Sequence, residues 1–256
     1  MSNVLVFDIE TIPDLEGGRR IYDLAGLDDK DTASALFNIR RQETGSEFLR
    51  LHLQRVVAIS VVLRSAQGIK VWSLGDAESS EKELIERFFD GLDRFSPQIV
   101  SWNGSGFDLP VLHYRALRHG VSAPRYWESG ENDSSFRYNN YLSRYHNRHL
   151  DLMDVLAAYN NRAFAPLDQV ATLLGFPGKM GMSGGKVFDE FQEGNIQGIR
   201  DYCETDVLNT WLVYLRFQLM RGQLDPTGYD NELKMVREYL STENKPHFSA
   251  FAEAWQ

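Results

Sequence analysis

Residues 4–13 read VLVFDIETIP: an apolar, β-rich run from Val4 to Ile9, closed by Pro13, of the kind that forms a strand buried on both faces. Two carboxylates interrupt it. Asp8 and Glu10 stand two apart, and because side chains alternate along a strand, both belong to one face. No Lys or Arg lies within FDIET to neutralise them. A buried pair of like charges is costly without compensation, and a hard divalent cation is the simplest partner. The plainer alternative is a solvent-facing strand end.

Further along the chain, Val56 to Leu63 (VVAISVVL) and Ile69 to Leu74 (IKVWSL), joined through Ser65 to Gly68, predict a hairpin that completes a three-strand meander. Glu81 to Phe95 places Leu84, Ile85, Phe88, Phe89 and Leu92 at helical spacing behind the capping residues Ser79 and Ser80. A short strand, Ile99 to Trp102, runs through the turn Asn103 to Gly106 into a helix over Leu109 to Arg118, which Gly120 stops. His149 to Asp151 is a candidate fifth strand. Helices are expected over Leu152 to Tyr159, over Leu167 to Leu174, and over Asn195 to Met220, the longest. Strands first, then alternating helices and strands around a buried sheet, predict a three-layer α/β/α fold with a mixed five-stranded central sheet. The expected organisation is one domain over residues 1–225, with insertions at about 14–54 and 121–148, and a peripheral C-terminal extension over 226–256. The first insertion shows helical patches at Ala33 to Arg41 and Glu47 to Leu53.

A chain of 256 residues with 43% hydrophobic content can bury a sizeable core. A net charge of -9 argues against broad adhesion to a polyanion, although divalent cations bound to clustered carboxylates would offset part of it. The single Cys203 excludes an intramolecular disulfide framework and a multi-cysteine zinc site. With no apolar stretch near the roughly 20 residues of a membrane span and no signal-like segment, a soluble, cytoplasmic protein is expected.

Three further acidic or phenolic positions matter. Asp108 opens a helix after WNGSGF and could serve only as its cap, but a tight loop at the end of a strand is where α/β folds place their active residues. Tyr202 and Asp206, four apart on a helix, share a face. Together, FDIET, WNGSGFDLPVL and YCETD resemble the three exonuclease motifs of the DEDD superfamily, in that family's order. Tyr202, four before Asp206, is similar to the tyrosine subtype; the histidine subtype has His five before the last Asp, where this chain has Asp201. Asn103 five before Asp108, followed by Leu109 and Pro110, with HLDLMDVL from His149 to Leu156, is most similar to the proofreading domain of family B DNA polymerases.

This resemblance implies an RNase H-like fold, 3′-5′ digestion of nucleic acid, and two divalent ions, Mg²⁺ or Mn²⁺. It implies that Asp8, Glu10 and Asp206 hold the ion carrying the attacking water, and that Asp8 and Asp108 help hold the second. Tyr202 would orient the water, while Asn103, Phe107 and the Thr11 to Ile12 backbone would contact the terminal nucleotide. The chemistry agrees independently: phosphodiester hydrolysis needs charge stabilisation at both attacking and departing oxygens, which cations about 3.5–4 Å apart supply. A stand-alone exonuclease acting on single-stranded DNA 3′ ends is expected. An exoribonuclease of the same superfamily and a catalytically silent nucleic-acid-binding module are the alternatives.

Other features carry less. Gly175 to Lys186 lacks the glycine spacing of a phosphate loop, although Lys179 and Lys186 could touch a nucleic-acid backbone. His149 is expected to be structural. The aromatics from Tyr126 to Tyr145, interleaved with Arg125, Arg137, Arg144 and Arg148, fit base stacking and ordinary packing equally.

Overall fold

In the computed structural model, which describes residues 3–255, the strand expected over Val4 to Ile9 is β1 and runs on to Pro13 (Val4–Pro13). It pairs antiparallel with β2 (Gln54–Ser65), which returns antiparallel as β3 (Gly68–Ser73). On its other side β1 runs parallel to β4 (Gln98–Ser101), which is parallel to β5 (His149–Asp151). The order β3-β2-β1-β4-β5 is the expected mixed five-stranded sheet.

Alternation along β1 sorts the two helical layers. Leu5, Phe7 and Ile9 face an apolar cluster with α3 (Glu81–Phe95) and α4 (Asp108–His119). Val4 and Val6 face the other way, against Val207, Leu208 and Trp211 of α9 (Ile196–Met220). By the same period Asp8 and Glu10 lie on the α9 side, at the end where α9 begins. That is the physical reason a late helix can meet the first strand in a three-layer α/β/α, RNase H-like arrangement.

The first insertion forms α1 (Leu15–Tyr22) and α2 (Asp29–Thr44). Asp28 caps α2 by accepting from the Asp31 N–H, so the helix starts earlier than its apolar pattern suggests. Glu47 to Leu53 is not a helix beyond a single 3₁₀ turn at Leu51–Leu53. The second excursion holds only α5 (Pro124–Trp127) and a 3₁₀ turn. The helix expected over Leu152 to Tyr159 stops early, as α6 (Leu152–Leu156), because Ala158 and Tyr159 take left-handed φ of 51° and 60°. The remaining helices are α7 (Leu167–Leu173), α8 (Val187–Gln192), α10 (Pro226–Thr242) and α11 (Pro246–Ala254).

Where the sequence suggests a peripheral tail after residue 225, α10 and α11 place Val236, Leu240, Phe248 and Phe251 in the same apolar cluster as Val4 and Trp211. Phe248 and Phe251 are both 0% exposed, and full burial of such a side chain contributes about 1.5–3 kcal/mol. Among the described residues, no helix is long and apolar enough to cross a membrane.

Candidate active site

Asp8 and Glu10 come to one face of β1 opposite Ser60 and Ala58 of β2; beyond them, at Glu10/Thr11, the register shifts through a bulge. Glu10 is 7% exposed, which removes the solvent-facing alternative.

Asp108 is the first residue of α4, preceded by Phe107 at the cap position with no side-chain cap bond. Its Oδ1 accepts a hydrogen bond of 3.2 Å from the Ile9 backbone N–H. The carboxylate therefore ties α4 to the strand of Asp8 and Glu10 rather than capping its own helix. The loop before it is held in shape from β5: Asn103 and Ser105 donate their backbone N–H groups to the Asp151 carboxylate, both at 2.9 Å. Asn103 itself takes a left-handed φ of 65°, and a side chain at Gly106 would put its β-carbon 2.5 Å from Asn103 Oδ1.

On α9, Cys203 Sγ lies 3.5 Å from the Asp8 carbonyl oxygen and 3.6 Å from Asp8 Oδ2. Ligand atoms of Asp8, Glu10 and Cys203 all fall within 4.8 Å of one another. Burial, then the charges of Asp8 and Glu10, push the Cys203 thiol up, so it stays protonated near neutrality and is not a thiolate ligand.

Electrostatics bind Asp108 and Asp206 to this group. Asp8 is held well above the usual carboxylate range by burial, then by the charges of Asp108, Glu10 and Asp206. Burial also raises Glu10, with Asp206 and Asp108 adding and Lys179 opposing. Asp108 is pushed up to about 7, by burial foremost and by Asp151. Asp206 is pushed up to about 6 by burial, with Tyr202 and Lys179 pulling the other way. The Tyr202 phenol is driven upward by burial and then by Asp206, Glu10 and Asp8.

Other buried acids in this chain are treated differently. Asp14, Glu81, Asp154, Glu204 and Glu232 each have an Arg or Lys ion pair, and the two without one, Glu128 and Asp151, each accept from several backbone N–H groups. Among the described residues, no Lys or Arg stands within ion-pair distance of Asp8, Glu10, Asp108 or Asp206; Lys179 acts from farther away. Two buried carboxylates, Glu10 and Asp108, and two half-buried ones, Asp8 and Asp206, mutually repelling and without Lys or Arg in contact, are a hard oxygen donor set that divalent cations fit.

A pH test follows. Carboxyl groups raised in the folded state hold protons that the unfolded chain releases near the ordinary value of 3.8. Their contribution is therefore full below that value and lost as pH rises through about 6 to 7. The melting temperature of protein kept in EDTA should fall between pH 4 and pH 7.5, roughly, and Mn²⁺ should reverse the loss at the upper end. A flat profile in EDTA across this range would contradict the cluster.

Of the remaining candidates, Thr11 Oγ1 donates to Gln54 Oε1 at 3.0 Å, the Ile12 side chain sits in a core cluster with Ala58, Ile199 and Cys203, and the Phe107 ring lies 5.7 Å from that of Phe48. His149 is structural: Ser101 Oγ is 2.9 Å from its Nε2, and burial, then His113, lowers its pKa to about 4. Tyr126, Phe136 and Tyr141 are buried, and Arg125 and Arg148 stack over Phe136, so these members of the second excursion serve packing. Sequence reasoning missed Cys203, Asp151 and Lys179 as neighbours of the site. The available signals were Cys203 lying three before Asp206 on one helix face, and Asn209, whose amide pins Gly178 against α9 and brings Lys179 near.

A family model described as "Predicted 3'-5' exonuclease related to the exonuclease domain of PolB" matches residues 46–255. DNA polymerase 1 of Sulfurisphaera ohwakuensis is 51% identical over 39 residues, covering 15% of this chain and 4% of that protein. The catalytic subunit of DNA polymerase epsilon from Dictyostelium discoideum is 48% identical over 46 residues, 18% of this chain and 2% of that protein. The family B DNA polymerase from Pyrobaculum calidifontis superposes with a TM-score of 0.52 at 20% identity, over 86% of this chain and 25% of the polymerase. The chain thus corresponds to a quarter or less of these relatives, and the structural likeness shows a shared fold.

Proposed function

The chain belongs to the family of predicted 3′-5′ exonucleases related to the exonuclease domain of PolB, and from that premise we propose a two-metal-ion enzyme of the DEDD tyrosine subtype. Its substrate is the 3′ end of single-stranded DNA, from which it removes one nucleotide at a time. The observation that carries the reading is the convergence of four carboxylates, drawn from β1, α4 and α9, that crowd one another with no Lys or Arg in contact, whereas the chain's other buried acids are each compensated by an ion pair or by several backbone N–H groups.

In this reading Asp8, Glu10 and Asp206 hold one divalent ion, and Asp8 and Asp108 hold the second. Bound ions of this kind supply counter-charge to the attacking and departing oxygens and acidify the attacking water. Tyr202, with its phenol pushed upward by burial, keeps its proton at neutral pH and so donates a hydrogen bond that orients the water. The loop at Asn103 and the Thr11 to Ile12 backbone steady the terminal nucleotide, and Phe107 borders it. The functional unit includes α10 and α11, because their apolar side chains complete the core under α9.

Tyr202→Phe removes the hydroxyl but leaves every carboxylate, so it should slow hydrolysis by about 10- to 100-fold while leaving Mn²⁺ affinity unchanged by calorimetry. Equal losses in both would make Tyr202 a structural residue. The direct test of the activity compares 3′-labelled with 5′-labelled DNA in Mg²⁺ or Mn²⁺, beside matched RNA. Immediate release of labelled mononucleotide from the 3′ label, with a descending ladder from the 5′ label, is the expected result. Digestion from the 5′ end, or none in either metal, would refute it, and a preference for RNA would reassign the substrate.

A further inference from the structure

In a protein whose net charge is -9, two stretches of chain carry no Asp or Glu at all: residues 134–150, with Arg137, Arg144 and Arg148, and residues 155–167, with Arg162. The fold brings them together at Tyr145 and Tyr159, whose rings meet edge to face at 5.0 Å. The Arg144 guanidinium lies 6.0 Å from the first ring and 5.3 Å from the second. It is fixed from below, since its Nη2 donates to both carboxylate oxygens of the buried Asp154 at 2.7 Å.

Unlike Tyr126, Phe136 and Tyr141, these two rings are not spent on the core: Tyr145 is 70% exposed and Tyr159 39%. Tyr159 also takes a left-handed φ of 60°, directly after Ala158 at 51°, a conformation that is costly for residues with a β-carbon. Its N–H donates to the Asp154 carbonyl at 2.8 Å, which holds the turn. The same aspartate thus sets both the cation and the turn that delivers the second ring.

The platform is continuous with the candidate active site. A cavity of about 440 Å³ runs from the turn at Asn103 to Gly106, which leads into Asp108, as far as Leu142, Arg144 and Phe164. The acids along it are already engaged, Asp151 by the backbone N–H groups of Asn103 and Ser105 and Asp154 by Arg144. Among the described residues, Arg137, Arg148 and Arg162 have no acidic partner within ion-pair distance, and Arg144 has Asp154. Exposed rings around a guanidinium, without free carboxylates nearby, suit a chain that offers flat faces and negative charge by turns, which is single-stranded nucleic acid. A duplex hides its base faces, and an acidic peptide would satisfy the arginines but leave the rings unstacked.

We propose that Tyr145 and Tyr159, set by Arg144, form a second nucleic-acid site that stacks bases of the single strand several nucleotides to the 5′ side of the end being cut. This rests on the exonuclease reading above. The platform touches neither the terminal nucleotide nor the carboxylates, so it takes no part in the chemical step. It holds the strand between successive cuts, which makes digestion processive on long strands and adds nothing on short ones.

The test compares 5′-labelled oligothymidylates of about 4 and about 20 nucleotides, with wild type, the double variants Tyr145→Ala with Tyr159→Ala and Tyr145→Phe with Tyr159→Phe, and Tyr145→Ala alone. Binding is followed by anisotropy in EDTA, and digestion in Mn²⁺ with an excess of unlabelled strand as trap. The alanine pair should weaken binding of the longer oligomer by about 5- to 20-fold and that of the shorter by less than about 2-fold, and in the trap should release one nucleotide per encounter where wild type releases runs. The phenylalanine pair should match wild type, because stacking needs the ring and not the hydroxyl. Tyr145→Ala, at the more exposed ring, should move in the same direction as the alanine pair with an unchanged melting temperature. Equal effects at both lengths, or none at either, would overturn the proposal. Displacement of the longer oligomer by polyglutamate from wild type would also overturn it, reassigning the surface to an acidic protein partner. Length-dependent binding that the alanine pair loses, with no nucleotide released by wild type, would support the platform and refute the exonuclease reading. Digestion without the length dependence would refute the platform alone.

Discussion

Asp8→Ala is expected to remove metal-dependent 3′ digestion by a factor of about 10³ or more, while Asp8→Asn raises the melting temperature of the metal-free protein. The two effects have one cause. Asp8 is the carboxylate assigned to both ions, so its loss disables the site twice over. Without metal it is a half-buried acid crowded by Asp108, Glu10 and Asp206, and an amide of the same shape carries no charge and a smaller desolvation penalty. The gain should grow as pH rises, because the raised wild-type carboxyl gives up its proton and becomes charged only toward higher pH. Mn²⁺ should stabilise wild type more than either variant, since ligand binding to the native state raises its stability by mass action. Melting curves in EDTA and in Mn²⁺, read beside a digestion assay, decide it. If Asp8→Asn destabilised the metal-free protein, the carboxylate would be a structural group and the two-ion reading would fail.

The parts of this arrangement that were legible in the sequence are those governed by short-range rules. Alternation along residues 4–13 places Asp8 and Glu10 together, and helical spacing places Tyr202 beside Asp206; both depend only on local geometry. The mixed sheet follows from a hairpin without a crossover and two later strands reached through helices. What stayed hidden depends on tertiary partners. Asp108 looks like a cap from its position, yet its carboxylate bonds across 99 residues to Ile9, a contact no local pattern encodes. Cys203 looks like a core residue and is one, but the face of α9 that buries it also brings it to Asp8. The last 30 or so residues show only modest apolar periodicity, because their buried side chains fill gaps under α9 rather than forming a stripe of their own. The early end of α6 rests on left-handed residues at Ala158 and Tyr159, neither a glycine, and so carries no sequence signal.

A second large effect is expected away from the carboxylate cluster: Arg115→Ala should cost about 3–5 kcal/mol. Arg115 is 2% exposed and bridges two buried acids, donating to Glu81 at 2.7 and 2.6 Å and to Asp14 Oδ2 at 2.6 Å. Its removal leaves Glu81 with His119 and the Val56 N–H, and Asp14 with the Gly17 N–H and the more exposed Arg118. For a chain of this size each kcal/mol corresponds to about 2–4 °C, so the melting temperature should fall by roughly 6–20 °C. Burial works to raise Asp14, but the Gly17 N–H with Arg115 and Arg118 outweigh it and hold its carboxyl below the usual range. That contribution is present above the ordinary value and lost as pH falls, so the deficit of the variant should shrink in acid. Arg115→Lys restores charge but not the forked geometry, and should recover only part of the loss. The same three residues set the site, because Asp14 follows β1 directly, Glu81 anchors β2 through Val56, and Arg115 belongs to α4, the helix that Asp108 opens. Folded Arg115→Ala protein should therefore also digest DNA more slowly, with the loss in kcat rather than KM. A melting shift under about 2 °C would mean that water replaces the guanidinium freely. The contrast between the two buried acidic groups would then lose its force as a mark of the metal site, since one such group would be tolerating the absence of its cation.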